Sequence, residues 1–263
     1  SGSRVRLDGE TVQMDAALVH SDGRFGAVGV EERVRNPILV ARAVLDTPHL
    51  FIAGDGATRL ARANGLPDFD PATTYRRDQI RKLRDHLVEK DLNLLLERHN
   101  AWDEYDCAKN WNFEKTLREQ GIAGGFGAGG VIARDRDGNF AAGLSTGGTE
   151  IMLRGRVGDV PVYGAGAWAG QHGAVAATGS GERIIENLTA RNLHVELENG
   201  IPSQVAANRA VDKIRERGAA GLVVISPTDI VMSADREMAW AGRELDSKVW
   251  LGTEVPRAAP EAR

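Results

Sequence analysis

The chain has 263 residues, of which 42% are hydrophobic and 27% charged, so it can bury the core of one α/β domain or of two small ones. Its formal net charge is -4 and its Lys and Arg residues are scattered, which argues against a nucleic-acid partner because no basic stripe is available for phosphates. No apolar run approaches the roughly 20 residues that cross a bilayer, which argues against a membrane protein.

A strand and a helix open the predicted order of elements. Residues 25–30 are typical of a strand. Asn36 then supplies an N-cap residue and Pro37 the first helical position, which predicts a helix that continues through Leu45. Because a helix follows a strand, we expect a layered architecture of helices on sheets.

The next stretch predicts a second strand and two more helices. Residues 49–53 are apolar and short enough for a buried strand, and Gly54-Asp55-Gly56 turns the chain into a helix through Ala61. Residues 76–98 predict a charged amphipathic helix with Ile80 on its apolar side. Residues 100–125 are rich in Asp, Glu, Asn and Lys, and a loop of that length is either functional or mobile.

A hairpin is predicted after this polar stretch, because residues 129–133 and 140–146 flank an Asp137-Gly138 turn. Asp135, Asp137 and Asn139 alternate as calcium ligands do. The glycine comes too early for a calcium loop, however, and no glutamate follows at the right distance. The pattern therefore favours a plain hairpin turn.

The last third of the chain again combines strands and helices. Residues 173–178 predict a strand that runs into a single helix containing Ile184 and Leu188. A further helix follows Pro202. Residues 221–232 predict a final hairpin that closes the sheet.

Two glycine-bearing turns invite comparison with nucleotide-binding loops. Gly54-Asp55-Gly56 has the position of a dinucleotide loop, but Arg59 stands where the third glycine belongs, so a structural turn is favoured. Residues 124–130 lack the Gly-Lys-Ser/Thr ending of a phosphate loop. The sequence therefore favours no nucleotide site.

Histidine and cysteine chemistry is weak in this sequence. The six histidines include no pair at metal-ligand spacing, and no glycine-flanked serine elbow is present. Cys107 is the only cysteine, which excludes an intrachain disulfide and a thiolate metal cluster and agrees with a reducing compartment. We therefore expect no side-chain metal site and a cytoplasmic protein, with a signal peptide on a longer natural precursor left open.

Residues 121–130 read Gly-Ile-Ala-Gly-Gly-Phe-Gly-Ala-Gly-Gly and are followed by the β-branched run Val131-Ile132-Ala133. Four more motifs come after them in order, at residues 138–148, 155–159, 164–167 and 177–182. This series resembles the cleavage junction and β-subunit of the N-terminal-nucleophile hydrolases of the asparaginase, isoaspartyl peptidase and glycosylasparaginase family. Five segments of the first half resemble the family's α-subunit: Met14-Asp15-Ala16, Gly26-Ala27-Val28, Asn36-Pro37-Ile38 with Ala41-Arg42, Thr47-Pro48-His49 and Gly54-Asp55-Gly56-Ala57.

The resemblance implies an α+β fold, a four-layer αββα sandwich. Residues 1–127 would form the α-subunit part of a single domain, with a linker from about residue 100 to 127, and residues 128–263 the β-subunit part. In the family, a threonine at the junction cleaves the peptide bond before it and then uses its own α-amine as base. Ala128 lies eighteen residues before Thr146, as the family threonine does before the threonine of its Ser-Thr-Gly-Gly, so the resemblance implies that the scissile bond would be Gly127–Ala128.

The resemblance also assigns the ligand-binding residues. Arg156 would bind a substrate α-carboxylate through two donors, and Asp159 would hold the α-ammonium group. The Thr178 hydroxyl and the Gly179 N–H would form the oxyanion hole, and Thr146 would hydrogen-bond near the nucleophile. Taken alone, Arg156 and Asp159 favour a surface ion pair and the Thr-Gly steps favour plain turns, but the ordered series of motifs favours the ligand-binding roles.

The function implied is that of an uncleaved precursor of a β-aspartyl amide hydrolase that acts on L-asparagine or β-aspartyl dipeptides, inactive because Ala128 has no hydroxyl. An engineered block is the simplest explanation of the alanine. The alternatives are a glycosylasparaginase acting on glycosyl-asparagine and a natural pseudoenzyme that binds aspartyl ligands. The segments Thr47-Pro48-His49 and Gly54-Asp55-Gly56-Ala57 resemble the glycosylasparaginase branch somewhat more. The family implies no cofactor beyond a structural sodium held by main chain in a preceding segment, and a homodimer of αβ units.

Overall fold

The computed structural model describes residues 3–6, 8–89, 128–149, 152–236, 238–243 and 250–252. The chain divides into two compact units. The first unit comprises Ser1–Leu18, Phe25–Gly129 and Leu144–Pro161. The second comprises Val19–Arg24, Gly130–Gly143 and Val162–Arg263.

Runs of strands and runs of helices follow one another through the described residues, in agreement with an α+β fold. The strands are β1 (Met14–His20), β2 (Phe25–Glu31), β3 (Phe51–Ala53), β4 (Ala128–Arg134), β5 (Phe140–Thr146), β6 (Ala167–Gly170), β7 (Gly173–Gly179), β8 (Ala220–Ile225), β9 (Ile230–Ala234), β10 (Trp240–Gly242) and β11 (Trp250–Gly252). The helices are α1 (Pro37–Val44), α2 (Asp55–Ala63), α3 (Thr74–Glu89), α4 (Gly181–Glu186), α5 (Thr189–Glu198) and α6 (Ser203–Arg215).

The larger sheet has five strands in the order β3-β2-β1-β5-β4. Strand β3 pairs with β2 in parallel, with Ala27 opposite Phe51. The prediction of a buried strand at residues 49–53 was wrong in two respects: the strand begins at Phe51, and Phe51 is 44% exposed. The physical reason is the position of β3 at the edge of the sheet, where it has a neighbouring strand on one side only.

The predicted helices after Asn36 and after Gly54 are confirmed as α1 and α2, and both contribute residues to the core of the first unit. Asn36 is the N-cap of α1 and Pro37 its first residue. A Cβ atom placed on Gly26 of β2 would lie 2.5 Å from the carbonyl oxygen of Ala41, so α1 approaches this strand as closely as glycine allows. The buried cluster between them includes Val28, Val40, Val44, Ala57 and Ala61.

Helix α3 begins at Thr74 and is described to Glu89, with Ile80 buried as predicted. The predicted continuation of this helix to residue 98 lies outside the described residues. So do the polar stretch at residues 100–125, Cys107 and Gly127.

The hairpin predicted around Asp137-Gly138 is confirmed by strands β4 and β5, which are neighbours in the sheet. Asp135 closes the turn, because its Oδ1 accepts the backbone N–H groups of Asp137 at 2.9 Å and Asn139 at 2.8 Å. Gly138 has a φ of +86°, which suits glycine. The aspartate therefore binds the turn's own amides, as a plain hairpin turn requires.

The second sheet lies in the second unit, has the order β6-β7-β8-β9 and is antiparallel throughout. Alternate residues of its strands are buried together with residues of α5 and α6. This cluster includes Val175, Ala177, Leu222, Val224, Leu193, Leu197, Val211 and Ile214. The helix predicted after Pro202 and the hairpin predicted at residues 221–232 are thereby confirmed as α6 and as β8 with β9.

Two predictions for the last third were wrong in detail. The single helix predicted over Ile184 and Leu188 is two helices, because Leu188 adopts a left-handed conformation with a φ of +41°. The hydroxyl of Thr189 donates to the Ile184 carbonyl oxygen at 3.2 Å across this break. The hairpin at residues 221–232 is also not the final one, since β10 and β11 pair after it. Among the described residues, no helix has the length and apolar character needed to span a membrane.

Candidate functional site

Residues 153–159 form a loop in the first unit that carries the two predicted ligand-binding side chains. We call it the arginine loop. It opens with a turn in which the backbone N–H of Arg156 donates to the Leu153 carbonyl oxygen at 3.1 Å. Arg156 is half-buried, and Asp159 is only 7% exposed. The loop therefore presents a partly accessible guanidinium close in sequence to a buried carboxylate.

The Arg156 guanidinium lies against the Cα of Gly158. A Cβ atom placed on Gly158 would lie 2.7 Å from Arg156 Nη1 and 3.4 Å from its Cζ. Any side chain at position 158 would therefore push the guanidinium away from its observed position. Glycine at this position lets the planar group with its fork of donors rest on the backbone.

Asp15 of β1 holds the backbone of Gly158 through a hydrogen bond. This carboxylate is 3% exposed, and its Oδ2 accepts the Gly158 N–H at 3.2 Å while its Oδ1 accepts the Val30 N–H at 2.9 Å. Burial raises the pKa of Asp15 above its ordinary value, and these two N–H donors with Arg156 and Arg6 oppose that rise. Val30 has a φ of +58°, unusual for a β-branched residue, so its bond to Asp15 helps to hold a strained backbone.

Gln13 holds the other end of the arginine loop. Its Oε1 accepts the Gly155 N–H at 2.7 Å, and its Nε2 donates to Glu32 Oε1 at 2.7 Å. Glu32 in turn pairs with Arg154 at 3.1 Å. Since Gln13 and Asp15 are two residues apart on an extended chain, their side chains point to the same face and reach the same loop.

Arg6 clamps the segment at residues 146–149, which begins with Thr146 and which we call the threonine loop. Its Nη1 donates to the carbonyl oxygens of Gly147 at 2.8 Å and Thr149 at 3.0 Å, and its Nη2 donates to the Gln13 carbonyl oxygen at 2.7 Å. Within the loop, the Gly148 N–H donates to Thr146 Oγ1 at 3.0 Å. Thr146 is half-buried, at the end of β5.

Ala128 is the first residue of β4 and is half-buried. A Cβ atom placed on the next residue, Gly129, would lie 3.9 Å from the Ser145 carbonyl oxygen. The start of β4 therefore lies beside the end of β5, which carries Thr146. The methyl group of Ala128 can neither donate nor accept a hydrogen bond.

Thr178 and Gly179 end strand β7 in the second unit, where they pair with Gly221 and Ala220 of β8. Gly179 has a φ of +141°, and a Cβ atom placed on it would lie 2.0 Å from the Ala219 carbonyl oxygen. Glycine is therefore required at position 179.

The backbone beyond Gly179 is fixed by a reciprocal pair of hydrogen bonds. The Ser180 N–H donates to the Ala219 carbonyl oxygen at 2.7 Å, and the Ala219 N–H donates to Ser180 Oγ at 2.9 Å. Ser180 is itself buried. The segment that carries the predicted oxyanion-hole residues is thus held rigidly within its own unit.

Sequence reasoning missed three residues of this site: Arg6, Gln13 and Asp15. The sequence pattern pointed the other way, because Gln13 and Asp15 alternate with the apolar residues Val12 and Met14, as the solvent-facing residues of a half-buried strand do. Only the fold shows that both side chains are buried. Among the residues that the structure describes, no group of three or more His, Cys, Asp or Glu side chains is arranged to hold a metal ion.

Comparison with known proteins gives one family and a set of relatives. A family model described as asparaginase matches residues 1–249. The isoaspartyl peptidases/L-asparaginases of Bos taurus and Homo sapiens are each 32% identical over 260 residues, covering 96% of this chain and 76% of theirs. A plant-type L-asparaginase of Pyrobaculum calidifontis is 37% identical over 228 residues, covering 84% of this chain and 68% of its own. The family match includes every candidate site residue.

Proposed function

Because the chain belongs to the type 2 asparaginase family of N-terminal-nucleophile hydrolases, we propose that it is the uncleaved precursor of a β-aspartyl amide hydrolase, kept whole and inactive by Ala128. The position of Ala128 carries the proposal. It lies eighteen residues before Thr146, at the start of β4 and beside the end of β5. A nucleophile at this position would stand next to the threonine loop.

The missing hydroxyl accounts for the loss of self-cleavage and for the loss of hydrolytic activity. A threonine oxygen at position 128 would attack the carbonyl carbon of Gly127, the peptide C–N bond would break as the acyl group moves from nitrogen to oxygen, and water would then hydrolyse the ester. The products are a free carboxylate at residue 127 and a free α-amine at residue 128, and that amine serves as base for the same hydroxyl. Alanine supports neither the cleavage nor the attack on a substrate.

The arginine loop supports recognition of an aspartyl group. The Arg156 guanidinium rests on Gly158 and offers paired donors that suit the α-carboxylate, and the buried Asp159 suits the α-ammonium group. Thr178 and Gly179 would stabilise the oxyanion of the tetrahedral intermediate, a role in which losing one donor costs on the order of 3 kcal/mol. Thr146 would hydrogen-bond near the attacking oxygen.

The substrate class follows from the relatives. Those from Bos taurus and Homo sapiens are named isoaspartyl peptidase/L-asparaginase. We therefore propose L-asparagine and β-aspartyl dipeptides as the substrates of the matured form. The proposal includes a four-layer αββα arrangement, an α-subunit part that ends at residue 127, a β-subunit part that begins at residue 128, and a homodimer of αβ units in the cytoplasm.

A binding protein without catalysis is the second candidate, and one observation favours it. The arginine loop is held by one buried and one partly buried hydrogen bond, neither of which involves position 128. The chain as it stands should therefore bind L-aspartate, the product of the proposed reaction.

Restoring the hydroxyl tests the proposal. Ala128→Thr should give two fragments on a denaturing gel, broken after residue 127, and release ammonia from L-asparagine. Ala128→Val is the matched control, because valine has the shape of threonine without the hydroxyl, and it should stay whole and inert. An Ala128→Thr chain that folds but remains uncut would contradict the precursor proposal. A panel of β-aspartyl dipeptides and glycosyl-asparagine would then define the substrate.

A further inference from the structure

Three polar side chains near the start of the chain are almost completely buried. Arg6 is 1% exposed, and Gln13 and Asp15 are each 3% exposed. We call these three residues the N-terminal strip. Burying a charge is costly unless hydrogen bonds and opposite charges compensate for it, so a strip of this kind needs a reason to be present.

The N-terminal strip directs its hydrogen bonds to the two loops of the first unit that carry predicted site residues. Arg6 binds carbonyl oxygens on both sides of Gly148 in the threonine loop. Gln13 and Asp15 accept N–H groups on both sides of Arg156 in the arginine loop. Arg6 also donates to the carbonyl oxygen of Gln13, which joins the two sets.

We propose that Arg6, Gln13 and Asp15 are positioning residues that fix the arginine loop relative to the threonine loop and thereby set the affinity for an aspartyl ligand. This inference rests on the proposed function, because it takes Arg156 as the group that binds the ligand. None of the three residues needs to touch the ligand. Each acts through the backbone of the loop that it holds.

Asp15 has the most direct effect on Arg156. Its carboxylate fixes the N–H of Gly158, and the Cα of Gly158 is the surface on which the guanidinium rests. In Asp15→Asn, one acceptor oxygen becomes an NH₂ group that faces a backbone N–H, so two donors oppose each other. The variant also loses the negative charge that acts on Arg156. The guanidinium should consequently lose its defined position.

Arg6 acts on the threonine loop through the geometry of its side chain. One planar guanidinium reaches the carbonyl oxygens of Gly147, Thr149 and Gln13 at once. In Arg6→Lys the charge is kept, but a single ammonium nitrogen has no planar fork with which to span these acceptors. The threonine loop should then shift relative to the arginine loop.

Arg62 offers a matched control within the same unit. Its Nη1 donates to the carbonyl oxygens of Leu66 at 2.9 Å and Pro67 at 3.1 Å, in a segment that carries no predicted site residue. Arg62→Lys therefore loses the same kind of clamp. Arg62 is more exposed than Arg6, at 32% against 1%, and it also pairs with Asp68. A purely structural role for the N-terminal strip therefore predicts that both substitutions lower stability and that neither changes L-aspartate affinity in the folded chain.

The test measures L-aspartate binding to the full chain by calorimetry, at a temperature where circular dichroism shows every variant to be folded. We expect Asp15→Asn and Arg6→Lys to weaken binding at least tenfold, and Arg62→Lys to change it less than twofold. If the strip variants bind as the parent chain does, the positioning role is overturned while the proposed function stands. If the parent chain does not bind L-aspartate, the inference is overturned as well, whereas the precursor proposal is judged separately by cleavage of Ala128→Thr.

A spectroscopic readout tests the strip without any ligand. In a ¹⁵N-labelled chain, Gln13→Leu should shift the amide signal of Gly155 and speed its hydrogen exchange, and Asp15→Asn should do the same to Gly158. The Gly148 signal should respond to Arg6→Lys and not to Arg62→Lys. Unchanged signals in folded variants would overturn the inference whatever the affinity for L-aspartate.

Discussion

The arginine loop and the start of β4 are built in opposite ways. The arginine loop carries buried polar groups, and its backbone N–H groups at Gly155 and Gly158 are bound by side chains of the N-terminal strip. The start of β4 has a half-buried methyl at Ala128, followed by exposed glycines at 129 and 130. The proposed ligand-binding loop is therefore supported by buried side chains, whereas position 128, the proposed position of the nucleophile, carries no hydroxyl.

Under the proposed function, this difference places ligand binding and catalysis in separate parts of the sequence. The arginine loop needs several buried partners that must all be present together, because each unpaired buried group would cost about 1–3 kcal/mol. The nucleophile needs one oxygen atom. A single substitution can therefore remove the reaction and leave the binding structure in place.

The largest effect should come from adding a methyl group where the fold is closely packed. Gly179→Ala places a Cβ atom 2.0 Å from the Ala219 carbonyl oxygen, at a φ that disfavours alanine, so the free energy of unfolding should fall by about 3 kcal/mol or more. Gly129→Ala at the start of β4 meets its nearest atom at 3.9 Å and should change stability by less than about 0.5 kcal/mol. Urea unfolding of both variants gives the comparison, and equal losses would refute it.

Removing the guanidinium should nearly abolish ligand binding. Arg156→Ala deletes the paired donors for the α-carboxylate, so L-aspartate affinity should fall about a hundredfold, equivalent to about 3 kcal/mol. Arg154 lies two residues earlier in the same loop, is exposed and pairs with Glu32, so Arg154→Ala should weaken binding less than twofold. Calorimetric titration distinguishes them. Similar affinities in the two variants would mean that Arg156 is not the carboxylate ligand.

The two glycines of the arginine loop should separate affinity from stability. Gly158→Ala pushes on the Arg156 guanidinium without a positive φ, so L-aspartate binding should weaken about tenfold with little change in unfolding. Gly155 has a φ of +86°, and no atom lies within 4 Å of the position that a Cβ would take. Gly155→Ala should therefore lower the free energy of unfolding by about 1 kcal/mol and weaken L-aspartate binding less than Gly158→Ala does. The reverse assignment, found by calorimetry and urea unfolding, would contradict the geometry.

The smallest effect concerns a buried carboxylate away from the loops. Glu31 is fully buried, and burial raises the pKa of its carboxyl above the ordinary value of 4.5. Hydrogen bonds from the Arg33 N–H and the Thr58 hydroxyl lower the pKa and offset part of that rise. A raised folded-state pKa means that the protonated form stabilises the fold below pH 4.5, and that this contribution is lost as pH rises through the folded-state value.

Glu31→Gln should remove the loss of stability that accompanies ionisation of the buried carboxyl group. The variant is expected to be more stable than the parent at pH 7, and the difference should shrink as the pH falls below 4.5. Urea unfolding at the two pH values measures it. A variant that is destabilised at pH 7 would show that the charged form of Glu31 is favoured in the folded state.

Local patterns predicted the elements that local chemistry determines. Asn36-Pro37 marked the start of α1, and Asp137-Gly138 marked the hairpin, because caps and turns are set by neighbouring residues. The exposed edge position of β3 and the left-handed Leu188 were not predictable, since both depend on tertiary neighbours. The roles of Ala128, Arg156 and Asp159 came from family resemblance, and they stay predictions.

The roles of the N-terminal strip could not be predicted from sequence patterns. Arg6 and the threonine loop are 141 residues apart in the chain, and Asp15 and Gly158 are 143 apart. No periodicity connects residues at such separations. Only the fold shows that polar residues near the beginning of the chain hold loops in its second half.

We propose that one hydroxyl group separates this chain from a self-cleaving enzyme. Intact-mass spectrometry of purified Ala128→Thr, alongside Ala128→Val, tests it most directly. We expect two fragments from Ala128→Thr whose masses add up to that of the precursor plus one water, with the second fragment beginning at residue 128. A single intact mass from a folded Ala128→Thr chain, equal in behaviour to Ala128→Val, would contradict it.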